Sequence, residues 1–296
     1  MDTLTDVLRL LRLRTNVFLH SSFCGVWAVD TSGQKKAAFH VVSSGDCWLH
    51  LDGQAPIPLH AGDLLVLPRD APHRLSSLSS TPGPDVPLNQ PAREPGLPDS
   101  TSLICGYFEF NSRAWNPIIE ALPEVVVLHG AEENEAASVG VLIRLMVEEA
   151  GADWFGGDVM LDRLGDALFI LVVRAVMSRA SVDHGYLAAL GDPQLARAFQ
   201  AMHHAPEQAW TLDALGRAAG MSRSAFATRF HEIVGMTPMN YLTRWRMQLA
   251  QDGLRDPALS MIDIAERTGY TSEAAFSRAY KREFGTTPGS ARRQSR

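Results

Sequence analysis

Hydrophobic and polar positions alternate with several distinct periods along this chain, and each period predicts a different element. Leu4, Val7, Leu8 and Leu11 repeat at three- and four-residue spacing, which places them on one face of a short amphipathic helix. The segments 23–30 (FCGVWAVD), 36–52 (KAAFHVVSSGDCWLHLD) and 102–110 (SLICGYFEF) are short, rich in β-branched and aromatic residues, and bounded by Gly, Ser or Asp, so they predict strands. Between them, LLVLP follows a Gly62-Asp63 turn. Residues 78–101 are dense in Pro, Gly and Ser and predict a protruding loop. From Glu132 to Ala180 the spacing becomes helical, and the stretch 160–180 is apolar around most of its circumference, so it requires a large surface to bury against. Helix breakers at Gly191 and Pro193, after His184-Gly185, mark a linker whose Asp192 can cap the next helix.

The last third of the chain repeats itself. Residues 215–238 (LGRAAGMSRSAFATRFHEIVGMTP) are echoed by 264–288 (IAERTGYTSEAAFSRAYKREFGTTP). Leu215 matches Ile264, Gly220 matches Gly269 and Ser222 matches Thr271. After one inserted residue, Phe226 matches Phe276, Phe230 matches Tyr280 and Gly235 matches Gly285. Each copy has a helix, a glycine stop, a hydroxyl cap and a second helix with aromatic residues four apart on its buried face. Two copies of one such unit predict two helix-turn-helix motifs.

This paired pattern with its GxTP endings resembles the AraC/XylS family of bacterial transcription regulators over residues 192–296. The resemblance implies two recognition helices that enter successive major-groove segments, joined by a central helix near 239–254. Matching positions make Ser224, Ala227 and Thr228 base-facing candidates in the first helix, and Glu273, Ala274 and Arg278 in the second. Arg278 stands out because a guanidinium can bond bidentately to guanine. Arg223, Arg229, Arg244, Arg246, Lys281 and Arg282 are candidates for phosphate contacts, which position the protein without reading sequence.

Charge follows the same division. Residues 192–296 carry 14 Lys and Arg against 10 Asp and Glu, whereas the whole chain is at −6. A basic module attached to an acidic one is what DNA binding by the C-terminal part requires. The chain has no apolar run near the ~20 residues that span a bilayer, and its first residues lack a secretory core, which predicts a cytoplasmic location. Three cysteines without close spacing predict free thiols in a reducing compartment.

Residues 59–75 (LHAGDLLVLPRDAPHRL) resemble the second half of a cupin, a small double-stranded β-barrel, and many AraC-like regulators carry a cupin-like sensor at this place. The chain therefore reads as an α+β two-domain protein. Residues 1–130 form a cupin-like β-barrel sensor, 131–191 a helical dimerisation and linker region, and 192–296 an all-α double helix-turn-helix domain. In AraC-like proteins such helices commonly form the dimer interface, here Leu164, Leu168, Leu171 and Val172; the alternative is that they pack against the chain's own barrel. Catalytic cupins carry a His-x-His…Glu…His set, which this sequence lacks. His73 falls where the last histidine would stand, and with His40 it forms the candidate site for a divalent metal; no other cofactor is implied. A looser resemblance to the branch that responds to reactive chlorine or other electrophiles implies Cys24 and Cys105 as a sensing pair.

Together these readings predict a sequence-specific transcription regulator, more an activator than a repressor, controlled by a small-molecule or oxidant effector. Its expected partners are promoter DNA, RNA polymerase and a second copy of itself, with no membrane. The competing reading is a metal-dependent cupin enzyme fused to a DNA-binding module. A third is a constitutive architectural DNA binder.

Overall fold

The computed structural model describes residues 2–92, 100–110, 115–130, 137–152, 154–179 and 184–294. Part of the expected 78–101 loop and the expected helix start at Glu132 lie outside them. The N-terminal helix α1 (Thr3–Leu11) buries Thr3, Val7 and Leu11, and Asp2 caps it. Eight strands follow: β1 (Arg14–Phe23), β2 (Ala28–Val29), β3 (Ala37–Ser44), β4 (Asp46–Leu51), β5 (Ile57–His60), β6 (Leu64–Leu67), β7 (His73–Ser76) and β8 (Thr101–Glu109). After α2 (Pro117–Ala121) and β9 (Val126–Leu128) the chain is helical: α3 (Ala137–Gly151), α4 (Gly157–Ser178), α5 (Gly185–Gly191), α6 (Pro193–His204), α7 (Leu212–Ala219), α8 (Arg223–Val234), α9 (Pro238–Gly253), α10 (Met261–Arg267), α11 (Glu273–Phe284) and α12 (Pro288–Gln294).

The strands form two antiparallel sheets, ordered β1-β8-β3-β6-β9 and β2-β7-β4-β5. Their inner faces enclose one apolar core that includes Phe23, Trp27, Leu49, Leu65, Leu75, Leu103 and the thiols of Cys47 and Cys105. Nearly every residue of β3 is buried, on both faces. One face looks into this core, and the other belongs to the sheet on which α4 packs, where Phe169 of α4 meets Phe108 of β8 at a ring separation of 5.0 Å.

Helix α4 also solves an edge problem. Strand β1 ends its sheet, and an uncovered edge offers unpaired N–H groups to any passing strand. Asp166 accepts the Thr15 N–H at 2.8 Å and its hydroxyl at 3.0 Å, and Asp162 accepts the Val17 N–H at 3.1 Å. The approach is close enough that a Cβ on Gly165 would stand 2.3 Å from Cγ2 of Thr15. Of the two coverings expected for them, Leu164, Leu168 and Val172 take the second: they are buried within this barrel unit, and Leu171 is half-buried. Their spacing announced a buried face correctly but did not say what would cover it. The apolar residues left in solvent are others, among them Val141 and Leu145 on α3 and Val159 and Met160 on α4.

Two further expectations change. The first strand begins at Arg14, ahead of the 23–30 segment, of which Phe23 ends β1 and Ala28–Val29 form β2. The contacts also divide the chain differently from the linear domains 1–130, 131–191 and 192–296. One unit is Leu13–Glu109 with Leu122–Ala180, and the other joins Met1–Arg12 and Phe110–Ala121 to Ser181–Arg296. Two short segments thus belong with the C-terminal helices. Tyr186 donates to the Thr3 carbonyl at 3.0 Å, Arg12 pairs with Asp252 at 2.8 Å, and Trp115 packs edge-on against Tyr241.

Gly165→Val should destabilise the barrel unit by about 1–3 kcal/mol, because two methyl groups must displace Thr15 from the α4 surface. Urea unfolding followed by tryptophan fluorescence measures this. An unchanged midpoint would show that α4 does not hold the β1 edge.

Candidate DNA interface and the barrel histidine–cysteine cluster

Each helix-turn-helix unit is built by its own caps. Thr211 caps α7, and Gly220 ends it at φ +71°. Ser222 then caps α8 by accepting the Ala225 N–H. In the second unit Ser260 and Asp263 form a capping box on α10, and Gly269 turns the chain at φ +78°. The cap of α11 is Ser272, accepting the Ala275 N–H at 3.2 Å, and not Thr271. This corrects the alignment of the repeat. The inserted residue lies in the turn, so Ser222 matches Ser272, Ser224 matches Ala274, Thr228 matches Arg278 and Arg229 matches Ala279.

With that register the exposed faces can be compared. Glu273, Ala274, Arg278, Lys281 and Arg282 are all exposed on α11, at positions that share one helix face. On α8, Arg223, Ser224 and Thr228 are exposed, while Ala227 is half-buried. Ala227 therefore belongs to the flank of the packed face and is a weaker base-facing candidate than the sequence suggested. Phe226, Phe230, Phe276 and Tyr280 are buried as expected.

Three of the cations expected at phosphates are engaged by partners within the protein, although Arg229 is exposed and Arg244 and Arg246 are half-buried. Arg229 grips Asp192, with Nε at 2.7 Å and a terminal nitrogen at 2.6 Å from Oδ2. Burial opposes ionisation of Asp192, but the Leu195 N–H, Arg229 and the Gln194 N–H outweigh it and hold its carboxyl below the usual range. The pair ties the first recognition helix to the cap of α6. Arg246 donates to the carbonyls of Pro206 and Gln208 at 2.7 and 2.8 Å. Its guanidinium lies so close to Gly269 that a Cβ there would meet it at 2.6 Å. Arg244 lies 3.6 Å from Glu283 and stacks over Trp115. Spacing alone showed these arginines near recognition helices; only the fold shows the partners that hold them. Arg223 keeps a loose exposed pair with Asp213 at 3.8 Å.

The barrel brings His40, His73 and Cys105 together. His40 and Cys105 are direct cross-strand partners on β3 and β8, with Nδ1 of His40 3.0 Å from Sγ. Nε2 of His40 lies 3.0 Å from Nε2 of His73, and the Thr31 hydroxyl lies 3.2 and 3.1 Å from the two. The tautomers follow from one fixed acceptor. The Ala71 carbonyl, 2.8 Å from Nδ1 of His73, requires a proton there. Neutral His73 then accepts at Nε2, so His40 carries its proton on Nε2 and accepts the Cys105 S–H at Nδ1. Burial, and for His40 also the charge of His73, hold both imidazoles below their ordinary pKa. Burial pushes the Cys105 thiol up, and the Cys47 thiol up to about 12.

This arrangement does not fit a metal centre. Cys105 and His73 sit on opposite nitrogens of the His40 ring, so the three cannot converge on one ion. Among the described residues, no group of three His, Cys, Asp or Glu side chains could hold a metal. Nor are Cys24 and Cys105 a pair. Cys105 stands opposite Leu19, and the strand from Leu19 to Phe23 already spans roughly 13 Å, against a Cα limit of about 7 Å for a disulfide. Cys24 is exposed beyond the end of β1, whereas Cys47 and Cys105 are buried.

Two measurements check this picture. A thiol reagent should label Cys24 rapidly in the native protein, with Cys47 and Cys105 labelled only on unfolding. Fast labelling of two thiols would contradict it. His40 and His203, the last held down to about 3 by burial in the helical unit, stay neutral in the fold at pH values where the unfolded chain protonates them, and burial lowers His73 in the same direction. Their contribution to stability is complete above the ordinary value of 6.5 and is lost as pH falls below it, by up to about 1.4 kcal/mol per pH unit for each. Unfolding free energy should therefore fall between pH 7 and 5, and His203→Phe should flatten that slope.

Comparison with known proteins agrees with this architecture. A family model described as "Cupin" matches residues 2–178, and one described as "Helix-turn-helix domain" matches 215–294. A putative AraC-like transcription regulator of Streptomyces lividans is 34% identical over 99% of this chain and 98% of its own length. The HTH-type transcriptional regulator AlkR of Acinetobacter baylyi is 29% identical over the whole of both chains. The RCS-specific HTH-type transcriptional activator RclR of Escherichia coli is 29% identical over 87% of this chain and 84% of its own. A cupin-type barrel followed by two capped helix-turn-helix units, in a chain matched end to end by such relatives, places this protein in the family of AraC-like transcription regulators.

Proposed function

We propose that this regulator reads promoter DNA through α8 and α11 and that an effector acting on the rest of the chain controls how it binds. The observation that carries the reading is the matched pair of exposed faces. Arg223, Ser224 and Thr228 on α8 correspond in register to Glu273, Ala274 and Arg278 on α11, with Lys281 and Arg282 beyond them. Arg278 suits bidentate bonding to guanine, and Glu273 suits acceptance from the cytosine amino group. Arg223, Lys281 and Arg282 supply phosphate contacts. Ser224 and Thr228 are short, so the first helix contributes more to position than to sequence.

The protein acts as a regulator and not as an enzyme. Its relatives are regulators, and the His40–His73–Cys105 cluster is hydrogen-bonded to itself and to Thr31. A cytoplasmic location accords with a DNA target and three free thiols. Activation through RNA polymerase follows the activator among the relatives. The protein functions as a homodimer through the exposed apolar residues of α3 and α4, Val141, Leu145, Val159 and Met160.

Arg278→Ala should cost about 1–3 kcal/mol in binding to the chain's own upstream promoter DNA and relax preference at one base pair. Lys281→Ala should weaken binding to all sequences alike and lower the salt slope by about one. Footprinting and salt titration separate the two. Equal loss on every sequence for Arg278→Ala would remove it from base reading. Val159→Glu should shift the sedimentation of the protein from dimer to monomer, and an unchanged sedimentation coefficient would place the dimer elsewhere.

A further inference from the structure

Between β8 and β9 the chain leaves the barrel unit, and Phe110–Ala121 belong with the C-terminal helices. Within that excursion, residues 115–121 are docked by specific contacts. The Trp115 ring meets Tyr241 edge-on at 5.4 Å and lies 5.6 Å from the Arg244 guanidinium, and its carbonyl accepts the Gln248 side-chain N–H at 3.1 Å. Residues 241, 244 and 248 recur at three- and four-residue spacing, so one face of α9 receives the tryptophan. The indole N–H is satisfied by Glu120 at 2.9 Å, and the Asn116 side chain caps α2 by accepting the Ile118 and Ile119 N–H groups. Trp115, Ile118 and Gln248 are all buried, so the segment is part of a core. Helix α2 packs on α5 so closely that a Cβ on Gly185 would stand 2.9 Å from the Cβ of Ala121.

Both contacts lead to α8. Helix α5 packs on it, and the Tyr241 ring lies 6.0 Å from that of Phe230. At the other end, the residue after Ala121 is fixed to the barrel unit. The buried Leu122 gives its carbonyl to Arg69 at 2.7 Å, and β9 follows and pairs with β6. A barrel that only accompanied a DNA-binding domain would need a single linker, such as the one after α4. A second, buried insertion bonded at both ends passes a displacement of β9 to α2, and from there to α8 and α9. We propose that residues 115–121 are the coupling element of this regulator: they transmit the state of the barrel to the first recognition helix, with Trp115 as the positioning residue on α9. This deepens the reading of the chain as an effector-controlled DNA-binding protein and rests on it.

Coupling is reciprocal, so DNA bound at α8 and α11 must alter the barrel whatever the effector is. Hydrogen exchange of the full-length protein, free and saturated with the chain's own upstream promoter DNA, reads this directly. In the unsubstituted protein DNA should change amide exchange in residues 122–128 and in β6 at least about threefold, in either direction. Trp115→Ala and Arg69→Ala should each abolish that response while DNA still protects α8 and α11. Trp115→Phe, which keeps a ring against Tyr241, should restore most of it. Arg69 is exposed, so Arg69→Ala carries the test even if Trp115→Ala does not fold. A barrel indifferent to DNA would overturn the coupling. So would an equal response in both alanine variants, because DNA would then act on the barrel by another route. Failure of the DNA to protect α8 and α11 in the unsubstituted protein would overturn the regulator reading itself, and the coupling with it.

Discussion

A single helix is buried from both ends, and the DNA-binding part of the molecule depends on it. The first half of α9 places Tyr241 and Trp245 against the aromatic cluster of the first unit, where Phe199 meets Phe230 and Tyr241 at ring separations of 5.2 and 4.6 Å. The second half places Met247, Ala250 and Leu254 in a separate core with Ile264, Phe276 and Tyr280. At 1.5 Å per residue, its 16 residues span about 24 Å. Two recognition helices fixed to one rod of that length cannot drift apart independently. The spacing of the two recognition helices is therefore a property of the α9 packing, and the exposed side chains act from the positions it sets.

The same helix explains why polar groups lie so deep in this unit. Tyr241 hydrogen-bonds Nε2 of His203 at 2.8 Å, and the His203 ring stacks on Trp245 at 3.8 Å. Among the described residues, Nδ1 of His203 has no hydrogen-bond partner, and the carboxylate of Asp6 on α1 stands 3.9 Å away. An imidazole that stays neutral in such a place costs less than an imidazolium, and the stacked rings supply the dispersion that a smaller apolar residue would lose. The bonds from Tyr186 to Thr3 and from Arg12 to Asp252 then hold α1 against a core that is already complete around Tyr241.

How much of this was legible in the sequence depends on whether a signal is local. The caps, glycine stops and aromatic pairs of the two units act within four or five residues, so they could be read directly. Even so, the repeat alone aligned Ser222 with Thr271, because two adjacent hydroxyls, Thr271 and Ser272, compete for one cap; only the helix start at Glu273 decides between them. Non-local pairings were a different matter. The Arg229–Asp192 and Arg246–Pro206 contacts join residues 37 and 40 apart. His40, His73 and Cys105 were each noticed, yet their meeting depends on β3 lying beside β8, which no spacing encodes. The apolar face of α4 was evident, but whether a barrel or a second chain covered it was not.

The paired arginines bear on the electrostatic argument for DNA binding as well as on the residue assignments. The surplus of four positive charges over residues 192–296 already sets Asp192 and Glu283 against Arg229 and Arg244. These three face Asp192, Glu283 and backbone carbonyls, so they release few counterions when DNA arrives. The cations free to do so on the two recognition helices are Arg223, Arg278, Lys281 and Arg282, three of them on α11. The three assigned to phosphates, Arg223, Lys281 and Arg282, correspond to a salt slope of roughly 3, well short of proteins that bind through charge alone. On the proposed reading, base contacts by α11 supply what this modest electrostatic contribution does not. The charge asymmetry between the two helices is the reason that the proposal gives sequence reading to α11 and placement to α8.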